Sequence, residues 1–177
     1  FERVKRKNVE DNQNVLTISA QQGLINQGKY FNKSVSAANI TGYYLLHRGE
    51  FAYNKSYSKG YPMGATKRLN GYDKGVVSPL YICFGLVTAD SPDFYEQYFE
   101  SGMMNTELEA ITQEGARNHG MLNISIPGFF SDITIPRPSL EEQTRIAGFL
   151  MALDTKVSGV AQAVAAAQKW KKGLLQQ

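Results

Sequence analysis

A helix-start signal divides this chain of 177 residues near its C-terminus. Pro138 precedes Ser139, and Glu142 follows three residues later, which is the pattern of a capping box. Beyond it, apolar residues follow one another at alternating steps of four and three, as in a heptad repeat. The repeat consists of Ile146, Leu150, Leu153, Val157, Val160, Val164, Ala167 and Leu174, interrupted only by Lys171. The sequence therefore predicts one helix of roughly 57 Å over residues 140–177.

The length of this helix favours pairing with another helix. A compact domain does not need such a length for its own core, and about four heptads are enough to indicate a coiled coil. The alternative is an amphipathic helix that folds back on its own domain. We expect the interface of a helix pair to contain Ile146, Leu150, Leu153, Val157, Val160, Val164, Trp170 and Leu174.

The composition bounds the class of protein. It contains 42% hydrophobic and 20% charged residues, as soluble globular proteins do. No apolar run approaches the ~18 residues of a membrane span. The single cysteine, Cys83, stands in a strand-like apolar run, which predicts a buried thiol in a reducing cytoplasm.

The remaining patterns predict an α+β fold, with a mixed, β-rich domain over residues 1–138 and the long helix over residues 139–177. Residues 93–114 fit two short acidic helices, with Phe94, Tyr98, Phe99 and Met103 facing inward. The polar, glycine-rich stretch from Asn54 to Gly75 is predicted to be a long loop. Strands are predicted over residues 15–19, 43–46, 51–53, 76–87 (broken at Ser78-Pro79), 121–126 and 133–135.

Charge and side-chain chemistry favour a DNA partner. The net charge is +3, and residues 90–114 carry seven acids but no Lys or Arg. Basic residues are concentrated near the N-terminus and in the 54–75 stretch, so one side of the domain is expected to be basic and the other acidic. Amide, guanidinium and imidazole groups distinguish base edges, while lysines neutralise phosphates. The candidate DNA-binding residues are Gln22, Lys33, Asn54, Lys55, Tyr57, Lys59, Lys67, Arg68, Arg117, Asn118 and His119.

Catalytic and metal motifs are mostly excluded. Gly115–Gly120 has the glycine spacing of a phosphate-binding loop but lacks the following Lys-Ser/Thr pair. His47 and His119 with one cysteine give no metal-ligand spacing. Ser78–Tyr81 superficially resembles the tetrapeptide of amino-methyltransferases, but Leu80 replaces its second proline. We interpret that segment as a buried strand with a bulge.

The chain resembles the specificity subunits of type I restriction–modification systems. The resemblance is strongest over Ile135–Ala147, which is similar to the opening motif of that family's conserved helix, with Phe149-Leu150 and Leu153-Asp154 after it. Other segments that resemble the family are Gly49–Asn54, Gly75–Tyr81, Gly115–Gly120 and Lys171–Gln177.

This resemblance implies a non-catalytic subunit without a cofactor that recognises double-stranded DNA. Modification subunits then supply the methyl donor and adenine methylation, and restriction subunits supply cleavage. Family members typically carry two recognition domains separated by paired helices, whereas this sequence has one of each. It is therefore expected to be a self-associating half-subunit or half of a longer chain. The alternatives are a fragment of an S-adenosylmethionine-dependent methyltransferase and a coiled-coil adaptor that binds no DNA.

Overall fold

A computed structural model describes residues 1–31, 39–112 and 121–174 of the chain. It has the α+β fold that the sequence predicts, because a strand-rich region precedes one long helix. The chain divides into two compact units, Phe1–Arg137 and Pro138–Gln177. This division falls one residue before the predicted boundary.

The described residues contain eight short strands and five helices. The strands are β1 (Glu2–Arg3), β2 (Leu16–Ser19), β3 (Gly23–Asn26), β4 (Tyr44–His47), β5 (Phe51–Asn54), β6 (Ala65–Arg68), β7 (Lys74–Val77) and β8 (Ile82–Gly85). The helices are α1 (Gln27–Phe31), α2 (Pro92–Glu100), α3 (Asn105–Ile111), α4 (Ile126–Ser131) and α5 (Leu140–Leu174).

The main sheet is antiparallel and has the spatial order β1, β8, β5, β6. Strand β2 pairs with β3, and β4 pairs with β7, so that two smaller antiparallel pairs accompany the main sheet. The central strand β5 is buried along Phe51, Ala52 and Tyr53. Because successive side chains of a strand point to opposite faces, this continuous burial requires cover on both faces of the sheet.

The two faces of the main sheet have different cores. On one face, Ala52 and Cys83 belong to an aliphatic cluster. On the other, Phe51 stacks on its cross-strand neighbour Phe84, with ring centroids 5.5 Å apart. Phe99 of α2 meets both rings edge-on. Burial raises the pKa of the Cys83 thiol to about 12, so the thiol stays neutral at physiological pH.

Several predicted strands are confirmed to within a residue or two. They are the segments at 15–19, 43–46 and 51–53. The segment at 76–87 contains the end of β7 and all of β8, and these two strands pair with different partners. Between them Tyr81 N–H donates to the Ser78 carbonyl at 3.1 Å, so Ser78–Tyr81 forms a turn rather than a bulged strand.

Other predictions are wrong for identifiable reasons. Met103 is 67% exposed and its neighbour Met104 is buried, because α2 ends at Glu100 and Gly102 turns the chain with φ +74°. The predicted strand over 121–126 is irregular and runs into α4, where the Ser125 hydroxyl caps the N–H of Gly128. Residues 133–135 form no strand either.

The predicted 54–75 loop is interrupted by strand β6. Its sequence Ala-Thr-Lys-Arg lacks apolar alternation, which explains why the sequence pattern does not indicate a strand. The segment becomes a strand because it pairs with β5, in the register Phe51 opposite Arg68 and Asn54 opposite Ala65.

The capping box of α5 is confirmed. Ser139 N–H donates to Glu142 Oε2 at 3.0 Å, and Glu142 N–H donates to Ser139 Oγ at 3.3 Å. The hydrogen bonds from Ser139 lower the pKa of the Glu142 carboxyl. The helix then continues for 35 residues, or about 52 Å at the usual rise.

Gly64 provides a test of the packing at the base of the β5–β6 hairpin, where the residue before β6 lies against the end of β5. Its φ is +80°, and a Cβ there would lie 2.3 Å from the Asn54 carbonyl oxygen. Gly60 also has a positive φ, +86°, but a Cβ there would meet nothing within 4 Å. We expect Gly60→Ala to cost about 1 kcal/mol of backbone strain, and Gly64→Ala about 3 kcal/mol because overpacking adds to that strain. Urea unfolding measures both, and equal losses would contradict the clash.

Candidate nucleic-acid interface

The connection between β5 and β6, residues 55–64 (the 55–64 loop), is a structured hairpin extension. Ser58 and Tyr61 exchange two backbone hydrogen bonds, with N···O distances of 3.2 and 2.8 Å. These bonds enclose Lys59 and Gly60, and the positive φ of Gly60 is one that glycine tolerates better than other residues. The loop therefore ends in a tight two-residue turn rather than an open coil.

The start of this loop contacts the residues that follow the candidates Arg117, Asn118 and His119 in the sequence. Ser56 forms an isolated antiparallel bridge with Met121, and Leu122 N–H donates to the Lys55 carbonyl at 3.0 Å. Met121 directly follows residues 113–120, which lie outside the described residues and contain Arg117, Asn118 and His119. The fold thus joins the 55–64 loop to the residue that directly follows that segment.

The candidate residues of the loop have different environments. The Asn54 side chain accepts from Ser56 N–H at 3.1 Å and so supports the local turn. Lys55 is half-buried, with its Nζ 3.5 Å from the Ile124 carbonyl oxygen. Tyr57 is 59% exposed and Lys59 is exposed. Within the described part of the chain, neither has a hydrogen bond or ion pair, so both are available to a partner.

Lys67 has a structural environment. Its side chain is only 7% exposed, and its Nζ lies 2.5 Å from Glu100 Oε1 of α2 and 3.0 Å from the Tyr61 hydroxyl. The same hydroxyl donates to Glu100 Oε2 at 2.7 Å. We call this closed set of contacts the Tyr61–Lys67–Glu100 cluster. Burial raises the pKa of Tyr61, so its phenol remains protonated and able to donate.

Arg68 is held in the same way by the preceding turns of α2. Its guanidinium lies 2.7 Å from Asp93 and 3.1 Å from Glu96. Burial raises the pKa of the Glu96 carboxyl, and the nearby charge of Arg68 opposes that effect. Because these contacts occupy Lys67 and Arg68, their geometry does not favour the predicted phosphate contact, and we leave both out of the proposed DNA surface.

The expected separation into a basic and an acidic side is wrong for β6 and α2. Acids of α2 neutralise cations of β6, and other basic residues are paired as well: Arg6 with Glu50, Lys74 with Glu10 and Arg48 with Asp73. The acidic residues of α2 pack against the basic residues of β6, because the face of α2 that carries Asp93, Glu96 and Glu100 meets this strand.

The remaining candidates are distributed over other loops. Gln22 is exposed in the turn between β2 and β3, where its N–H donates to the Ser19 hydroxyl. Lys33 lies outside the described residues. Two aromatic residues that the sequence analysis did not single out, Tyr30 and Phe31, precede it. Each is 43% exposed, and their rings meet edge-on at 4.8 Å.

Helix α5 exposes an apolar surface along its length. Leu150 is partly buried, and the other predicted interface residues are exposed. Their exposed fractions are Ile146 40%, Leu153 41%, Val157 67%, Val160 64%, Val164 49%, Trp170 71% and Leu174 52%. Burial of such side chains stabilises by about 1.5–3 kcal/mol each, so this surface favours association with another apolar surface.

The described residues contain no group of three or more His, Cys, Asp or Glu side chains arranged to hold a metal ion. Among them there is also no helix with the length and hydropathy needed to span a membrane. Comparison with known protein families gives no match, and no curated protein matches the chain.

The Lys67–Glu100 ion pair can be tested by a double-mutant cycle. Glu100→Gln leaves the buried ammonium without its counter-charge and is expected to cost about 2 kcal/mol of folding free energy. Lys67→Met is expected to cost less, because Glu100 is 32% exposed and retains water. The double variant should be no less stable than Glu100→Gln in urea unfolding. Strictly additive losses would contradict the coupling.

Proposed function

We propose that this chain is the sequence-specific DNA-recognition module of a type I restriction–modification complex in the cytoplasm. One observation carries the proposal: the capping box opens a 35-residue helix whose apolar heptad positions are exposed. The family resemblance of Ile135–Ala147 assigns this helix the roles of spacer and docking surface. The module itself performs no catalysis, and modification and restriction subunits supply the chemistry.

The exposed residues of the 55–64 loop support a DNA partner. A tyrosine ring and an ammonium group near a tight turn offer contact to bases or sugars and to phosphates. The loop is joined through Met121 to the segment that carries Arg117, Asn118 and His119. We propose that side chains from both segments contribute to DNA recognition, together with the candidates Gln22 and Lys33.

The exposed apolar surface of α5 supports self-association. An antiparallel pair of identical helices brings the acidic first turn of one, with Glu141 and Glu142, beside the basic last turn of the other, with Lys171 and Lys172. A parallel pair would instead bring like charges together. The antiparallel dimer carries two recognition domains related by a two-fold axis, and it would read a split palindromic site.

Selection of bound duplexes from a random pool tests the DNA proposal. The selected duplexes should share a bipartite sequence, and the affinity for them should fall as salt rises because phosphate contacts release counterions. Absence of salt-dependent DNA affinity would favour a coiled-coil adaptor. Binding of radiolabelled S-adenosylmethionine to the isolated chain would instead favour a methyltransferase fragment.

Arg117 is expected to read a base. Arg117→Ala should weaken binding to the selected site by about 1–3 kcal/mol and change binding to random DNA much less. Arg117→Lys is the matched control, because it keeps the charge but loses the bidentate geometry. It should also lose preference for the selected site. Equal losses on selected and random duplexes would assign Arg117 to phosphate contact.

Charge placed in the apolar surface of α5 should prevent self-association. Leu153→Asp with Val160→Asp would bury unpaired carboxylates in a dimer, at a cost of several kcal/mol, and should give monomers. Thr155→Asp with Gln162→Asp adds the same charge on the opposite side of the helix and should leave the dimer intact. Sedimentation velocity distinguishes the two. An unmodified chain that is monomeric at high micromolar concentration would contradict self-association.

A further inference from the structure

The 55–64 loop contains residues that contact the rest of the domain at its two ends and residues with exposed side chains between them. Before its turn, Lys55 and Ser56 are fixed by Leu122 and Met121. After the turn, the Tyr61 hydroxyl binds Glu100 and Lys67, and the Met63 carbonyl accepts from the Tyr53 hydroxyl at 2.7 Å. The segment between these contacts, residues 57–60, is the loop tip. It projects the exposed side chains of Tyr57 and Lys59.

Tyr57 is unusual among the aromatic residues near this sheet. Tyr53 stacks on Phe129 at 5.2 Å, and the Tyr61 ring lies under Lys67 Nζ at 4.5 Å. Tyr57, in contrast, makes no ring contact within the described part of the chain and leaves 59% of its surface in water. An exposed aromatic ring on a fixed turn loses little conformational freedom when it contacts a ligand.

We infer that Tyr57 is the DNA-contacting residue of the loop tip through its ring, with Lys59 on a neighbouring phosphate and the Tyr61–Lys67–Glu100 cluster as the positioning group. This inference rests on the proposed function and names the part of the recognition domain that meets the duplex. The ring packs against a sugar or a thymine methyl group in a groove, because base faces are stacked on one another in a duplex and an aromatic face is the largest apolar surface that the tip offers. The cluster acts from a distance by fixing the direction of the turn.

Substitutions in the full chain test the contact. Tyr57→Ala should weaken binding to a selected duplex about tenfold, because the apolar contact of the ring is lost, whereas Tyr57→Phe should stay within about twofold of the unmodified chain. Leu80→Ala is the control for an equally exposed apolar side chain elsewhere in the same unit, because Leu80 is 61% exposed. Equal weakening by Tyr57→Phe and Tyr57→Ala, or by Tyr57→Ala and Leu80→Ala, would overturn the ring contact.

A spectroscopic measurement tests the positioning role. Tyr57→Trp adds one indole to a chain whose single tryptophan is Trp170, so the unmodified chain supplies the background. Its fluorescence should be quenched by the selected duplex. Adding Tyr61→Phe, which removes only the hydroxyl, should lower the anisotropy of this indole and weaken DNA binding about fivefold while the thermal midpoint changes little. Unchanged anisotropy and affinity would overturn the positioning role.

The outcomes separate the two proposals. If the unmodified chain binds no duplex in a salt-dependent manner, the proposed function fails, and the assignment of Tyr57 fails with it. If the chain binds DNA and Tyr57→Ala binds equally well, only the assignment of Tyr57 fails. A tenfold loss with Tyr57→Ala and an indole that DNA quenches would support both.

Discussion

Burial of β5 and β8 on both faces is the constraint on which the N-terminal unit depends. Phe51 and Phe84 stack on one face, and Ala52 and Cys83 join the aliphatic cluster on the other. Neither face can be left to solvent, so α2 must cover the aromatic side while the smaller strand pairs cover the aliphatic side. The position of α2 then decides which charged residues meet β6.

The ion pairs between α2 and β6 follow from this constraint. Burying an ammonium or guanidinium group is costly, and the acids of α2 offset part of that cost. These ion pairs contribute less to stability than to a defined arrangement of side chains, because Lys67 and Glu100 bind the same hydroxyl of Tyr61. That hydroxyl therefore connects the 55–64 loop to the contact between β6 and α2.

Sequence reasoning succeeded where the determinants are local. The capping box of Ser139 and Glu142 and the heptad spacing specify α5 within a few residues of chain, and the strands at 15–19 and 51–53 show the expected apolar content. It failed for β6 and α4, whose conformations depend on pairing with β5 and on a serine cap within an apolar run. Sequence reasoning also could not predict the environment of Lys67. Whether a lysine meets Glu100 or solvent depends on a contact across 33 residues.

The 55–64 loop contains residues that fix its position and residues that face solvent, and this difference determines which of them can be substituted without loss of folding contacts. Residues 55, 56, 61 and 63 make the contacts that fix the loop, whereas residues 57 and 59 point into solvent. Substitution at the exposed positions therefore alters the chemistry of the surface without a direct loss of folding contacts. The loop is in this sense an exchangeable part, whose outer residues can diversify while the frame that holds them is retained.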